Sequence, residues 1–321
     1  MIVDSILFIR GGALGDFIVT LPALRLVREK WPQAHIELLG YPRHAALGVD
    51  RYYLNAVRSV DTGPLAGFFI PNAVLDPDLV DYFGDFDLVV SYFYDPDQIF
   101  YQNLKRCNMP NLITFSPVAG LAPAAKHFCA PLSELGLGTD DYSSRLHLTA
   151  EDKAWAVEFL KELDPSRPTV AIHPGSGSEK KNWPIDRWVE LCQRRVLAGK
   201  ENFVVISGEA DDERTQYLLA RWPGKTPLVA RHLPLPHLAA VLAECGLFIG
   251  HDSGVTHLAA ATGCPSIALF GPTDPAMWAP VGSHVCVLER HGDMAAISVD
   301  EVCAAMDQTL GAAPPHPRQR E

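Results

Sequence analysis

The segment from residue 247 to residue 275 constrains the fold more than any other part of the chain. It opens with an apolar run over 247–250 that is typical of a buried parallel strand. A polar turn over 251–254, a small-residue helix over 255–262 and a second apolar strand over 266–270 follow. This order predicts a helix whose free N–H groups open at a strand end, where an anion is favoured.

The polar residues of this turn predict a diphosphate site. Asp252 or Ser253 can cap the helix, and a glycine lets a ligand approach the backbone. Asp-Ser-Gly before a helix is also a common N-cap, so the turn alone leaves both readings open. The number of polar groups beside the strand end favours a ligand. The residues assigned to the site are Asp252, Ser253, Gly254, Val255, Thr256 and His257.

Short apolar runs alternate with amphipathic stretches on both sides of the break at residues 164–168, Asp-Pro-Ser-Arg-Pro. This alternation predicts an α/β protein with two parallel-sheet domains and a cleft between them. The predicted domains are residues 1–164 and 165–311. The Pro-rich tail over 312–321 is predicted to be disordered.

Composition excludes several classes of protein. A formal charge of −11 argues against a general nucleic-acid binder, because neutralising phosphates needs clustered Lys and Arg. No apolar run is long enough to span a bilayer, and the start of the chain does not read as a signal peptide. The seven cysteines form no Cys-x-x-Cys pair, so we expect reduced thiols, no structural zinc and a cytoplasmic protein.

A glycine-rich turn, RGGALGD, follows the first predicted strand over residues 10–16. Its glycines allow a tight turn, but their spacing does not fit the G-x-G-x-x-G dinucleotide fingerprint. Asp16 is either the cap of the next helix or a carboxylate exposed in the cleft.

Two further loops follow predicted strands of the second half. The loop HPGSGSEKKNWP, residues 173–184, has hydroxyls, free N–H groups and two lysines that can cradle an anion, although an ordinary solvated loop fits equally well. It lacks the spacing of a P-loop. In the loop over 207–213, Glu209 can accept hydrogen bonds from a ribose, whereas Asp211 and Asp212 are interpreted as first-turn acids that serve the helix dipole.

Together these segments resemble glycosyltransferase family 9, the ADP-heptose:lipopolysaccharide heptosyltransferases. The family usually reads R-x-S-x-x-G-D near its start, K-x-W-P in the middle, and D-T-G-x-x-H-x-A-A and then G-P-T-D-P late. The resemblance covers both predicted domains in the right order. This chain has Gly12 where the family usually has Ser, and Ser253 where it usually has Thr.

The resemblance implies a GT-B fold of two Rossmann-like domains, with the acceptor in the first and the donor in the second. It implies an inverting transfer with no required metal and no cofactor. By position, Asp16 resembles the general base and Lys181 the diphosphate-binding lysine. Ser176 and Gly177 join Lys181 on the donor side, and Arg10, Gly11 and Gly12 lie on the acceptor side.

The acceptor side departs from the family over residues 91–115, which are rich in aromatic and acidic side chains. These rings can stack on sugars, but a buried aromatic cluster fits the pattern as well.

The predicted function is transfer of a heptose or related sugar from an ADP-sugar to a cell-envelope saccharide such as lipopolysaccharide core. If that acceptor is lipid-linked, the enzyme works at the cytoplasmic face of the inner membrane. The alternatives are another nucleotide-sugar donor, or a silent protein that binds nucleotide sugars without catalysis.

Overall fold

The computed structural model describes residues 3–208, 211–290 and 292–312, which form two units divided between His147 and Leu148. In the described part of the first unit, five parallel strands form one sheet. The strands are β1 (Ser5–Arg10), β2 (His35–Gly40), β3 (Ala56–Ser59), β4 (Leu88–Ser91) and β5 (Leu112–Thr114). The helices are α1 (Leu14–Lys30), α2 (Pro42–Ala45), α3 (Pro77–Gly84), α4 (Ile99–Leu104) and α5 (Ala124–Cys129).

The described part of the second unit contains a parallel sheet of six strands. They are β6 (Thr169–Ile172), β7 (Asn202–Ser207), β8 (Leu228–Arg231), β9 (Leu247–His251), β10 (Ser266–Phe270) and β11 (Val285–Glu289). The helices are α6 (Ala150–Phe159), α7 (Ile185–Ala198), α8 (Asp212–Leu219), α9 (Leu235–Ala243), α10 (Gly254–Ala261), α11 (Pro275–Trp278) and α12 (Val299–Ala312).

The strand order places one switch point in each sheet. The first sheet has the strand order β3-β2-β1-β4-β5, and the second has the order β11-β10-β9-β6-β7-β8. Successive strands are therefore added first on one side and then on the other, and the change of side falls between β1 and β4 and between β6 and β9. In the first sheet Ile9 of β1 pairs with Ser91 of β4, and in the second Ile172 of β6 pairs with Ile249 of β9. Open α/β sheets bind ligands at the carboxyl ends of strands beside such a point.

Apolar side chains of strands and helices form a core in each unit. In the first unit Leu7 and Ile9 of β1 are fully buried against Phe83 and Phe100. In the second unit Trp183 and Trp188 are fully buried with the residues of β6 and β9, their rings edge to face at 5.3 Å. Burying two indole rings contributes several kcal/mol to the stability of that unit, on the order of 2–3 kcal/mol for each large side chain.

The sequence placed the domain junction after Asp164, whereas the structure divides the chain before α6. Trp155 of α6 stacks on His237 of α9, with ring centroids 4.1 Å apart, and this packing joins α6 to the second unit. Thr149 and Asp152 cap α6 reciprocally, which is the capping-box pattern of a threonine followed three residues later by an acid.

The predicted α/β class is confirmed, with some elements missed. The sequence pattern predicted no element at strand β8 or at helices α2, α3, α5 and α11, and it assigned neither helix nor loop to residues 92–111, which contain α4. None of the seven cysteines, all of which lie within the described residues, forms a disulfide bond, and five of them are buried. Within the described residues, no helix combines the length and the apolar character that a bilayer span requires. Of the predicted tail, only residue 312, which ends α12, is described.

Candidate functional site

The turn after β9 begins α10 without a side-chain cap. Ser253 occupies the N-cap position with an extended backbone (φ −153°, ψ 164°), but its side chain makes no capping hydrogen bond. The prediction that Asp252 or Ser253 caps this helix is therefore wrong. The first N–H groups of any helix lack partners within the helix, so this helix start remains open to an anion.

The Asp252 side chain points to a different partner. Lys181 Nζ donates to Asp252 Oδ2 at 2.6 Å, and the Thr273 hydroxyl donates to the same oxygen at 2.7 Å. The Asp252 side chain is 9% exposed and that of Lys181 is 31% exposed, so the ammonium group remains reachable from solvent. The contact brings together a cation from the loop after β6 and the turn after β9, across the switch point.

A buried histidine fixes the loop after β6. His251 Nε2 accepts a hydrogen bond from the Trp183 N–H at 2.9 Å, and its Nδ1 lies 3.2 Å from the carbonyl of Gly175. Because Nε2 accepts, the proton is on Nδ1 and the ring is neutral. Burial lowers the pKa of His251 to about 3, which keeps the ring neutral at physiological pH. Both ends of the loop are thus tied to β9.

Gly175 and Arg214 complete this anchoring. A Cβ atom at Gly175 would lie 2.1 Å from Asp211 Cβ, so only glycine lets the loop pass. Arg214 of α8 donates to the carbonyls of Pro174 (3.1 Å) and Trp183 (2.6 Å). Burial lowers the pKa of Arg214. No motif in the sequence pointed to Arg214, because its partners lie 31 and 40 residues away along the chain.

Asp211 is a buried residue and does not behave as a solvated first-turn acid. Its Oδ1 accepts from the Gly208 N–H at 2.8 Å, and its Oδ2 lies 2.7 Å from His173 Nε2. Asp212 accepts from the Ser207 hydroxyl at 2.7 Å. The interpretation of both acids as groups that serve only the helix dipole is therefore corrected, because each holds the end of β7 or β6.

Of the other residues predicted to bind the nucleotide-sugar donor, some are buried and others are exposed or half-buried. The Ser176 hydroxyl is buried, 2.8 Å from Asn182 Oδ1, while Gly177 is exposed. Thr256 is fully buried and its hydroxyl donates to the carbonyl of His251. His257 is also buried, and the side chain of Val255 in the first turn is half-buried. Glu209 lies outside the described residues.

The turn after β1 forms a second polar cluster in the first unit. Arg10 is 5% exposed and donates from Nη2 to Asp16 Oδ1 at 3.0 Å, with its guanidinium 4.5 Å from the centroid of the Phe128 ring. Burial lowers the pKa of Arg10, and Asp16 opposes that shift. The second Asp16 oxygen accepts from the Ala13 N–H at 2.8 Å. The Asp16 side chain is still 31% exposed, so it is both a helix cap and a reachable carboxylate.

Gly12 shapes this turn through its backbone. Its φ is +93°, a conformation that strains any residue with a Cβ atom. A Cβ at Gly12 would lie 2.6 Å from Asp16 Oδ2, whereas a Cβ at Gly11 would meet nothing within 4 Å. The family resemblance leads one to expect Ser at position 12. The glycine found there leaves room for the Asp16 carboxylate in its observed position.

In the part of the chain that the structure describes, no three His, Cys, Asp or Glu side chains are grouped as metal ligands. The charged groups at the two switch points include the Arg10–Asp16 pair in the first unit and the Lys181–Asp252 pair in the second.

Comparison of the sequence with known families identifies one family. The sequence pattern of glycosyltransferase family 9 (heptosyltransferase) matches residues 113–305. Lipopolysaccharide heptosyltransferase 3 of Escherichia coli K12 is 27% identical over 289 residues, which cover 83% of this chain and 82% of that protein.

Two solved structures are similar over nearly the whole chain. The glycosyl transferase family 9 structure from Veillonella parvula has a TM-score of 0.82 at 23% identity, covering 98% of this chain and 99% of that one. The structure of E. coli ADP-heptose lipopolysaccharide heptosyltransferase II has a TM-score of 0.75 at 16% identity, covering 95% and 98%. The predicted GT-B fold class is thereby confirmed.

Proposed function

This chain belongs to glycosyltransferase family 9, the heptosyltransferase family, and from that premise we propose that it transfers heptose from ADP-heptose to a saccharide of the lipopolysaccharide core. The relatives support both reactants: one is a lipopolysaccharide heptosyltransferase, and another is an ADP-heptose lipopolysaccharide heptosyltransferase. The observation that carries the proposal is the uncapped start of α10, with the Lys181 ammonium beside it at a switch point.

In this proposal the donor diphosphate binds at the start of α10. The N–H groups of Gly254 and Val255 and the dipole of the helix favour negative charge there. Lys181 has three donors, so it can keep Asp252 as a partner while it binds a phosphate oxygen. Asp252 and Thr273 thus position the ammonium group. His251 and Arg214 hold in place the loop after β6, which carries Lys181.

Asp16 is the proposed general base. The acceptor hydroxyl must lose a proton as it attacks the anomeric carbon, and a half-exposed carboxylate held by Arg10 and the Ala13 N–H is oriented to take it. As the C–O bond to ADP breaks, charge develops on the β-phosphate, where Lys181 and the N–H groups of α10 stabilise it. A single displacement inverts the anomeric configuration, and no divalent metal is needed if these donors suffice.

The proposal also assigns each unit one reactant, the acceptor to the first and the donor to the second. If the acceptor is lipid-linked, the reaction takes place at the cytoplasmic face of the inner membrane.

The first test is a calorimetric titration with ADP, UDP, GDP and NAD in the presence of EDTA, followed by transfer from ADP-heptose under the same conditions. We expect selective ADP binding and metal-independent transfer. Preferential binding of UDP or GDP would contradict ADP-heptose as the donor. Loss of transfer in the presence of EDTA would contradict the metal-independent mechanism. Binding of no nucleotide would refute the donor site.

A further inference from the structure

A buried histidine–aspartate pair lies beside the loop after β6, and the proposed mechanism does not use it. His173 is 5% exposed and Asp211 is 4% exposed. His173 Nε2 lies 2.7 Å from Asp211 Oδ2, where a nitrogen lone pair would be repelled, so Nε2 carries a proton. His173 Nδ1 has no hydrogen-bond partner among the described residues. The contact of this ring with Asp211 therefore depends on Nε2.

The pair joins segments that are distant in the sequence. His173 follows β6 directly, and its N–H donates to the Ile249 carbonyl of β9 at 2.9 Å. Asp211 directly precedes α8, and its other oxygen accepts from the Gly208 N–H after β7 at 2.8 Å. The pair therefore ties the start of α8 to the strands β6 and β9, which meet at the switch point of the second sheet.

The start of α8 in turn contacts the loop that carries Lys181. Asp211 fills the space in which a Cβ atom of Gly175 would lie. Arg214, three residues after Asp211, donates to carbonyls near both ends of the loop. Its Nη1 also lies 2.6 Å from Oε1 of Glu179, the first residue of the short 3₁₀ turn Glu179–Lys181. The beginning, the middle and the end of the loop therefore all contact this helix start.

The charges at the helix start compensate one another inside the protein. A buried carboxylate costs free energy unless hydrogen bonds and cations stabilise it, and Asp211 has the Gly208 N–H and His173 as partners. Burial lowers the pKa of Arg214, and Glu179 and Asp211 oppose that shift. Because His173 and Asp211 are both more than nine-tenths buried, they act on a ligand only through the residues that they position.

We propose that the His173–Asp211 pair is the positioning element that holds Lys181 in place for the donor diphosphate before the donor binds. This inference rests on the proposed function and adds to it two residues that touch no substrate atom. Through Asp211 and α8 the pair fixes the loop that carries the ammonium group. A group that is already in position loses less freedom when the ligand binds, so the affinity is higher.

The test uses two amides that imitate different nitrogens of the ring. His173→Gln places an N–H near the position of Nε2, so it keeps the contact with Asp211 and should bind ADP within about twofold of the parent value. His173→Asn imitates Nδ1, loses the contact and should bind ADP about five- to tenfold more weakly. The Kd for ADP is measured by calorimetry on the full chain. Unchanged affinity in His173→Asn, or equal weakening by both amides, would overturn the inference.

A double-mutant cycle separates the positioning of Lys181 from a general loss of structure. Lys181→Ala removes the group that is positioned, so adding His173→Asn in that background should weaken ADP binding by less than about twofold. In the parent background, His173→Asn should raise the donor KM and leave the acceptor KM unchanged. A full five- to tenfold loss of affinity in the Lys181→Ala background would show that His173 does not act through Lys181, and would overturn the inference.

Asp211→Asn tests the pair from its other side if His173→Asn does not fold. It keeps an oxygen for the Gly208 N–H but removes the charge that faces His173, so ADP binding should weaken about threefold, and only when Lys181 is present. Unchanged affinity in this variant would also overturn the inference. Failure of the proposed function has a different signature, because the parent chain then binds no ADP. A parent chain that binds ADP with the same affinity as these variants would contradict this inference alone.

Discussion

The turns after β1 and after β9 are both strand-to-helix turns that carry an aspartate, yet they use it in opposite ways. Asp16 folds back on its own turn and accepts from the Ala13 N–H, so the start of α1 is closed by a carboxylate. Asp252 points away to Lys181 and Thr273, so the start of α10 has no side-chain cap. The first turn thus presents a carboxylate and the second presents N–H groups and an ammonium group.

This difference shows how one local motif yields two kinds of chemistry. A carboxylate that caps its own helix is held in place by the backbone and stays available as a base. A carboxylate recruited by a distant lysine leaves the helix dipole uncompensated, which favours an anionic ligand. The direction of one side chain therefore separates a candidate base from a candidate phosphate site.

The largest expected effect comes from removing the base. Asp16→Asn keeps an oxygen for the Ala13 N–H but cannot take a proton, so kcat should fall about 10²- to 10⁴-fold while ADP affinity stays unchanged. Steady-state kinetics and calorimetry check this. Asp76→Asn is the matched control, because Asp76 also caps a helix of the first unit, by accepting from Leu79 N–H. If the Asp16→Asn variant folds and its kcat is unchanged, Asp16 is not the base and its side chain only caps the helix.

The next effect concerns the cation beside α10. Lys181→Ala removes the ammonium group and leaves the Asp252 carboxylate facing the bound diphosphate, so ADP affinity should fall about 10- to 100-fold. Lys180→Ala changes the neighbouring lysine, which is exposed, and should leave the ADP affinity within about twofold of the parent value. The Kd of each variant for ADP is measured by calorimetry. Equal affinities for the two variants would show that Lys181 does not bind the diphosphate.

Gly12 tests whether the first turn depends on its backbone. Gly12→Ala puts a Cβ on a residue with φ +93° and within 2.6 Å of Asp16 Oδ2, so we expect a loss of about 1–3 kcal/mol in unfolding free energy and reduced activity. Gly11→Ala, where a Cβ meets nothing within 4 Å, should change stability by less than about 0.5 kcal/mol. Similar denaturant midpoints for both variants would contradict this account.

His251 makes the anchoring of the second turn sensitive to acid. Because its folded-state pKa of about 3 lies below the unfolded value near 6.5, the unfolded chain binds more protons between these values. Its contribution to stability is complete above pH 6.5 and is lost as the pH falls toward 3, by about 2 kcal/mol between pH 7 and pH 5.

The matched variant for this prediction is His251→Gln, whose amide can still accept from Trp183 N–H and donate to Gly175. Urea unfolding at pH 7 and pH 5 should show a smaller acid-induced loss in the variant than in the parent protein. The same loss in both proteins would assign the acid sensitivity to groups other than His251.

The smallest expected effect is at the uncapped helix. Ser253→Ala removes a hydroxyl that caps nothing, so the unfolding free energy should change by less than about 0.5 kcal/mol. Thr149→Ala, at a residue that does cap α6, should cost about 1 kcal/mol. If Ser253→Ala destabilised the protein as much as Thr149→Ala, the helix start would be capped in solution and the contrast between the turns would fail.

Much of the fold was readable from local pattern. The apolar runs of β1, β6, β9 and β10 and the helices between them identified the α/β class, because buried parallel strands are continuous apolar segments. Strand β8 was missed because its sequence, LVAR, is short and only partly apolar. The unassigned region around α4 was ambiguous because its rings serve both the core, through Phe100, and the surface, through Tyr94.

The sequence by itself determined the residue types of the candidate site: an aspartate after the first strand, a lysine in the loop after β6, and a polar turn with one glycine at the start of α10. Only the tertiary structure decided which groups meet. It paired Lys181 with Asp252, buried Asp211 against His173, and brought Arg214 to the carbonyls of Pro174 and Trp183. The reason is that parallel crossovers bring distant strand ends to one edge, and partner choice at that edge depends on distances that no local spacing encodes.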